Sequence, residues 1–209
     1  MEIRYEKHWS GHLNREMEFK VYGHAGKPVL FIPCQAGRFW DFEGFNMDKT
    51  WAPWIESGQV MVFSCDSIDN EAWAATGADK RWRIENHERW YNYVIEELVP
   101  YIRHLSGERN GYDQKIITFG ASMGAMHAAN LFLRSPDLFE GAFAISGLYD
   151  STMFFGEYMD DLVYANSPIH FLPNMPADHP WMDVYRQGNI IFCCGQGAWE
   201  DEMRADSHA

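Results

Sequence analysis

Apolar positions along the chain fall into five short, continuous runs separated by longer polar or amphipathic stretches. The runs are Val29-Leu30-Phe31-Ile32, Val60-Met61-Val62-Phe63, Ile116-Ile117-Thr118-Phe119, Ala142-Phe143-Ala144-Ile145 and Ile190-Ile191-Phe192-Cys193-Cys194. Runs of this length and β-branched content predict strands buried on both faces. Ahead of them, Glu2 to Ser10 and Glu16 to Tyr22 alternate apolar with polar residues around a Gly-containing stretch, which predicts a hairpin. Between the later runs the period changes to helical. Tyr91, Val94, Ile95, Leu98 and Ile102 make one apolar stripe, predicting a helix over Glu85 to His104 that Pro100 should kink or loosen. A second helix is predicted from Met123 to Leu133. Short buried strands alternating with helices indicate an α/β fold, a mostly parallel sheet with helices on both faces. Residues Ser151 to Gln187 break the rhythm: 37 residues with no clean period, but rich in Phe and Tyr. A long aromatic connection of this kind is expected to be a lid or pocket wall.

Composition narrows the partners. The 209 residues suit a single domain, 1–209, with 46% hydrophobic and 22% charged residues, typical of a globular protein. The net charge of −13 disfavours nucleic acid and anionic lipid surfaces. No apolar run is long enough to span a bilayer, and the charged N-terminus does not read as a signal peptide, so a cytoplasmic location is expected. Cys34, Cys65, Cys193 and Cys194 include no C-x-x-C pair and are expected to be buried free thiols. No metal or cofactor motif is present. Asp66, Asp69, Asp160 and Asp161 match no cation-binding loop and read as a solvated acidic surface.

One motif carries chemistry. The run ending at Phe119 passes directly into Gly120-Ala121-Ser122-Met123-Gly124, a G-x-S-x-G between a strand and a helix. On such a turn the serine sits in a strained backbone and its hydroxyl projects above the sheet. The flanking glycines are needed because a Cβ there would strike the neighbouring strand and helix. Met123 opens the helix, so its N–H is unpaired and available to an oxyanion.

With this motif the chain resembles the α/β-hydrolase superfamily, in the esterase branch that includes esterase D, the antigen-85-type acyltransferases and a group of bacterial esterases. Val29 to Phe39 resembles the family's strand and oxyanion loop. Gly120 to Ala125 resembles its nucleophile elbow, and Ser135 to Gly147 the P-D-x-F…S-G run after the nucleophile helix. The resemblance implies a serine esterase acting on a small-molecule acyl ester, with Ser122 as catalytic nucleophile. It implies an oxyanion hole from the backbone N–H groups of Met123 and Gln35, with Cys34 and Ala36 as near alternatives for the latter. It places the triad acid after the last run, at Asp201, with Glu200 as the alternative.

The resemblance also implies a catalytic histidine on a loop after one further strand. The chain departs from this pattern, because it ends at Ala209 soon after Asp201. Of the nine histidines, His127 lies on the nucleophile helix and should be packed, whereas His170, His179 and His208 have no counterpart in the pattern. The expectation is a domain apparently truncated at its C-terminus, lacking the last strand and helix. Its final strand would then be an exposed edge prone to self-association. Two functions follow: ester hydrolysis or acyl transfer by Ser122, or a non-catalytic binding module of the same fold.

Overall fold

The computed structural model describes residues 1–198 and 200–208; Trp199 and Ala209, the end point of the expected domain, lie outside the described residues. Seven strands form one sheet in the order β1-β2-β4-β3-β5-β6-β7. They are β1 (Ile3–Ser10), β2 (Arg15–Tyr22), β3 (Lys27–Ile32), β4 (Val60–Cys65), β5 (Ile116–Ala121), β6 (Phe139–Ile145) and β7 (Asn189–Cys193). The hairpin β1–β2 is antiparallel, β2 joins β4 antiparallel, and the remaining pairs are parallel. Each predicted strand is present, and the mixed sheet with helices on both faces is the expected fold class.

The continuous apolar runs feed both faces, because successive side chains point to opposite sides. Leu30, Ile32, Met61, Phe63 and Ile116 enter the larger core under three helices. These are α4 (Lys80–Tyr93), α5 (Val99–Asn110) and α6 (Met123–Arg134). Val29, Phe31, Val62 and Phe119 enter the smaller core on the other face. Phe42 and Ile55 cover it from the short helices α1 (Asp41–Gly44), α2 (Met47–Thr50) and α3 (Ala52–Glu56).

The predicted helix at Glu85 to His104 begins earlier, at Lys80, where the Asp79 side chain caps it by accepting from Trp82 N–H. It continues to Asn110 through a π-helical turn at Val94–Leu98. Pro100 has no N–H to offer the preceding turn, and the wider turn beside it is the local adjustment.

The segment from Ser151 to Gln187 folds into short helices: α7 (Thr152–Phe155), α8 (Asp161–Ala165), α9 (Pro168–Phe171) and α10 (Pro180–Gln187). Much of it is packing rather than lid. Tyr185 belongs to the main core, with Phe171, Trp181 and Met182 against it. Phe155 and Val163 join a separate cluster with Met123, Met126, Ala72, Trp73 and Ile84. Helices α7 and α8 pack beside the start of α6 through Phe155 and Val163, and α9 adds Ile169 against Ala125 and Ala129.

Among the described residues β7 is a sheet edge, paired only with β6, and Ile191 and Phe192 are 53% and 39% exposed. Cysteine burial differs from expectation. Cys65 is buried, Cys34 and Cys194 are half-buried and Cys193 is exposed. Cys193 shares its face of β7 with Ile191, which is exposed as well among the described residues.

Candidate active site

The sheet register defines the site. Ile32 pairs with Gly120, Ala121 with Ile145, and Ile145 with Cys193. Continuing each strand in that register brings Cys34, Ser122, Ser146 and Cys194 into one row at the C-terminal ends of β3, β5, β6 and β7. Neighbours in such a row are about 5 Å apart. Three of the five non-glycine residues with positive φ lie on this row or in the loop beside it: Ala36 (58°), Ser122 (55°) and Ser146 (50°). Backbone strain of this kind is held only where the surroundings over-determine it.

At Ser122 those surroundings are visible. Its φ of 55° and ψ of −125° place it between β5 and the first residue of α6, and its N–H is held by the Ile145 carbonyl at 2.9 Å. A Cβ at Gly124 would overlap the Ile32 carbonyl oxygen and stand 2.5 Å from that of Pro33. A Cβ at Gly120 would overlap the Gly124 carbonyl. The first turn of α6 therefore lies directly against the end of β3, which only glycine permits. Ser122 is half-buried.

This contact also brings the β3 loop to the helix N-terminus. Gly37 N–H donates to Cys34 O at 2.8 Å and closes a turn with Ala36 in the left-handed region. Gln35, exposed, is the first of the two central residues of that turn. Neither Gln35 N–H nor Met123 N–H has a partner among the described residues. Helix α6 adds the positive end of its dipole. Burial pushes the neighbouring Cys34 thiol up, and the carboxylates of Asp41 and Asp69 push it further. Cys34 is therefore a thiol, not a thiolate, at neutral pH.

The two acidic candidates behave differently. Asp201 opens α11 (Asp201–His208), where its side chain is 80% exposed and pairs with Arg204 one turn on. Glu200 is tied back to the row. It accepts from Gly195 N–H at 3.1 Å, from Gly197 N–H at 2.7 Å, and from the Ser146 hydroxyl. The Ser146 hydrogen bond, followed by that of Gly197, holds its carboxyl below the usual range.

No histidine is hydrogen-bonded to Ser122 among the described residues. His127, as expected, is packed: its side chain is 1% exposed and its Nε2 lies 2.9 Å from Asp69 Oδ1. His87 stacks on it at 5.0 Å and reaches Asn166 at 3.0 Å. Burial, with His127 second, holds His87 well below its ordinary value, so it is neutral. His170 Nδ1 meets the Ser167 hydroxyl at 2.7 Å, and its neighbours Ile169 and Pro168 line a 350 Å³ cavity with Leu133. Ile169 also packs on the cluster of Ala125, Ala129, Ala144 and Tyr149, so α9 lies along α6. His179 caps α10 through Trp181 N–H at 3.2 Å, and His208 ends α11.

Two of the four aspartates read as solvated surface are buried: Asp66 is 6% and Asp69 3% exposed. Asp66 is neutralised by Arg38 at 2.7 Å and accepts from Phe39 N–H at 2.9 Å. Asp69 pairs with His127. Both follow β4 and wall a 220 Å³ polar cavity beside Ala36, Gly37 and Arg38. Their chain-distant partners left no spacing to read. Arg83 was also passed over. It stands four residues before His87 and eight before Tyr91, in line with the apolar stripe, and that placement was the available signal.

Comparison with known proteins agrees with this architecture. The family model described as "Putative esterase" matches residues 10–208. The chain is similar in structure to a ferulic acid esterase (TM-score 0.74, 15% identity, covering 99% of this chain and 82% of that one). It is similar to the fluorophosphonate-binding serine hydrolase FphF of Staphylococcus aureus (0.69, 12%, 98% and 83%). It is also similar to an S-formylglutathione hydrolase of Agrobacterium tumefaciens (0.60, 17%, 98% and 81%). No curated protein matches it by sequence. A strained serine between glycines at the top of the central strand, in a chain matched over nearly its whole length, leads to one assignment: the chain belongs to the family described as putative esterases, serine ester hydrolases of the α/β-hydrolase fold.

Proposed function

We propose that Ser122 is the nucleophile of this esterase and that its substrate is a small-molecule acyl ester. The observation that carries the reading is the Ser122 conformation, φ 55° at the end of β5, wedged in place by Gly124 against the β3 carbonyls. Ser122 Oγ attacks the acyl carbon while a histidine takes its proton. The carbonyl oxygen becomes an oxyanion held by the N–H groups of Met123 and Gln35. Collapse of the intermediate expels the alcohol, and water releases the acid. The same steps deliver the acyl group to another acceptor if one occupies the water's place. The direct test is labelling with a fluorophosphonate, mapped by mass spectrometry. Modification confined to Ser122 supports the reading, and an unlabelled Ser122 in folded protein refutes it.

The triad acid lies in the pair Glu200–Asp201. Spacing favours Asp201, but its exposed ion pair with Arg204 is a solvated arrangement. Glu200 is better supported, because its carboxyl is ionised and anchored to the strand-end row. Glu200→Gln is therefore expected to lower kcat by about 10²-fold or more, by analogy with the loss of a base-orienting carboxylate. Asp201→Asn should change kcat less than threefold. Steady-state kinetics on p-nitrophenyl acetate decides, and the reverse order would return the role to Asp201.

The unpaired thiols suit a reducing compartment such as the cytoplasm. No helix among the described residues is long and apolar enough to cross a membrane. The exposed β7 edge supports self-association. Gel filtration should show the wild type eluting larger than one chain, and Ile191→Lys should shift it toward the monomer.

A further inference from the structure

Arg83 is 1% exposed on α4, yet no carboxylate pairs with it among the described residues. Its guanidinium is instead solvated by backbone. Nε donates to Ala72 O at 3.0 Å, Nη2 to Trp73 O at 2.5 Å and Nη1 to Phe154 O at 2.9 Å. Its plane lies over the Phe155 ring at 4.5 Å. Isolated buried charge is costly, so a cation kept in this position must be matched by well-aimed dipoles.

The acceptors belong to two segments far apart in sequence. Ala72 caps the 3-10 turn Asp69–Glu71 and Trp73 follows it, and Phe154 belongs to α7, a single turn. Single turns have no stability of their own and leave terminal carbonyls unpaired. Arg83 caps both at once. The residues so held, Trp73 and Phe155, form one buried cluster with Met123 and Met126. Trp73 meets Phe155 edge-on at 5.1 Å. Met123 is the residue whose N–H stands beside Ser122, and its side chain is fixed only by what packs around it.

We propose that Arg83 is a positioning residue of the active site: by clamping the carbonyls of Ala72, Trp73 and Phe154 it holds the Trp73–Phe155 wall against Met123, and so fixes the oxyanion donor. This rests on the assignment of Met123 N–H as a donor. A guanidinium fork can serve three diverging carbonyls in fixed directions; an ammonium cannot. Donor misplacement acts on the transition state, so it lowers kcat and kcat/KM together and leaves KM unchanged.

The test uses Arg83→Lys and Arg83→Gln in the full chain. Turnover of p-nitrophenyl acetate and butyrate is normalised to the fraction of Ser122 titrated by a fluorophosphonate. We expect kcat per titrated site to fall by about 10- to 100-fold for both esters, with KM within twofold. Hydrogen exchange is read in parallel, and residues 69–73 and 152–155 should lose protection while β3 and β5 keep theirs. Normalised kcat within twofold of wild type in both variants overturns the positioning role. Unchanged exchange in both segments overturns the clamp, whatever the activity. Wild-type protein that neither turns over ester nor labels at Ser122 instead defeats the nucleophile assignment, and the exchange result still judges the clamp.

Discussion

Ser122→Ala should lose ester hydrolysis by on the order of 10⁶ in kcat, the scale seen when a triad serine is removed, while retaining the fold. The hydroxyl is the only group deleted. The backbone that strains it is held from outside, by Ile145 O on the Ser122 N–H and by the contact of Gly124 with Ile32 and Pro33. Alanine inherits the positive φ of 55°; glycine would not resist it. Ser122→Gly should therefore be more stable than Ser122→Ala by about 1 kcal/mol, within the cost range of such conformations. The pair separates catalysis from strain. Both variants must be inactive on p-nitrophenyl acetate and unlabelled by fluorophosphonate, and their melting temperatures must differ in the stated order. Activity persisting in the alanine variant would move the nucleophile elsewhere.

Gly124→Leu should both destabilise the protein and inactivate it. The new side chain meets the carbonyl groups of Ile32, at the end of β3 in the sheet ladder, and of Pro33 just after it, and backbone there cannot rotate aside. Overpacking typically costs about 1–3 kcal/mol, and rigid backbone on the receiving side puts this site at the upper end. To relieve the overlap, α6 must withdraw from β3. That separates Met123 from the Gln35 loop, and an ångström of misplacement can cost about 10²-fold in rate. Denaturant unfolding and kcat at a temperature where the variant is folded measure the two effects. Gly124→Ala should show the same signs at smaller size, since its single Cβ already overlaps the Ile32 oxygen. A variant with unchanged stability and rate would mean that α6 does not lie against β3.

Much of the fold was legible because its elements are local and periodic. Four of the five apolar runs lie in largely buried strands, whereas the fifth, β7, is exposed at the sheet edge; each run still marked its strand, and the turn at Ser122 carries its own glycines. Helix α6 has small residues where it packs on β5 and β6, and it ends at Arg134, one residue beyond the predicted Leu133. The long helix was legible from Glu85 onward, five residues after its start at Lys80. Its first turns carry Arg83 and His87, charged and polar residues that interrupt the apolar stripe yet are buried. The segment from Ser151 to Gln187 was legible as irregular and aromatic but not as packing, because Tyr185 meets Phe132 across more than fifty residues of sequence.

By itself, the sequence determined the strands and the Gly-x-Ser-x-Gly turn between β5 and α6, since each depends on side chains adjacent in the chain, whereas it did not determine the sheet order. Tertiary structure decided the rest of the site. Whether Glu200 or Asp201 faces the strand ends depends on the Ser146 hydroxyl, which only the β6–β7 pairing delivers. Asp69 is a buried partner rather than a solvated acid because α6 presents His127 to it. Arg83 is useful as a cation without a carboxylate only because two short turns, separated by about eighty residues of chain, aim their carbonyls at the same point. Hydrogen bonds and buried charges are settled by direction and distance in space, and a linear pattern of residue types carries neither.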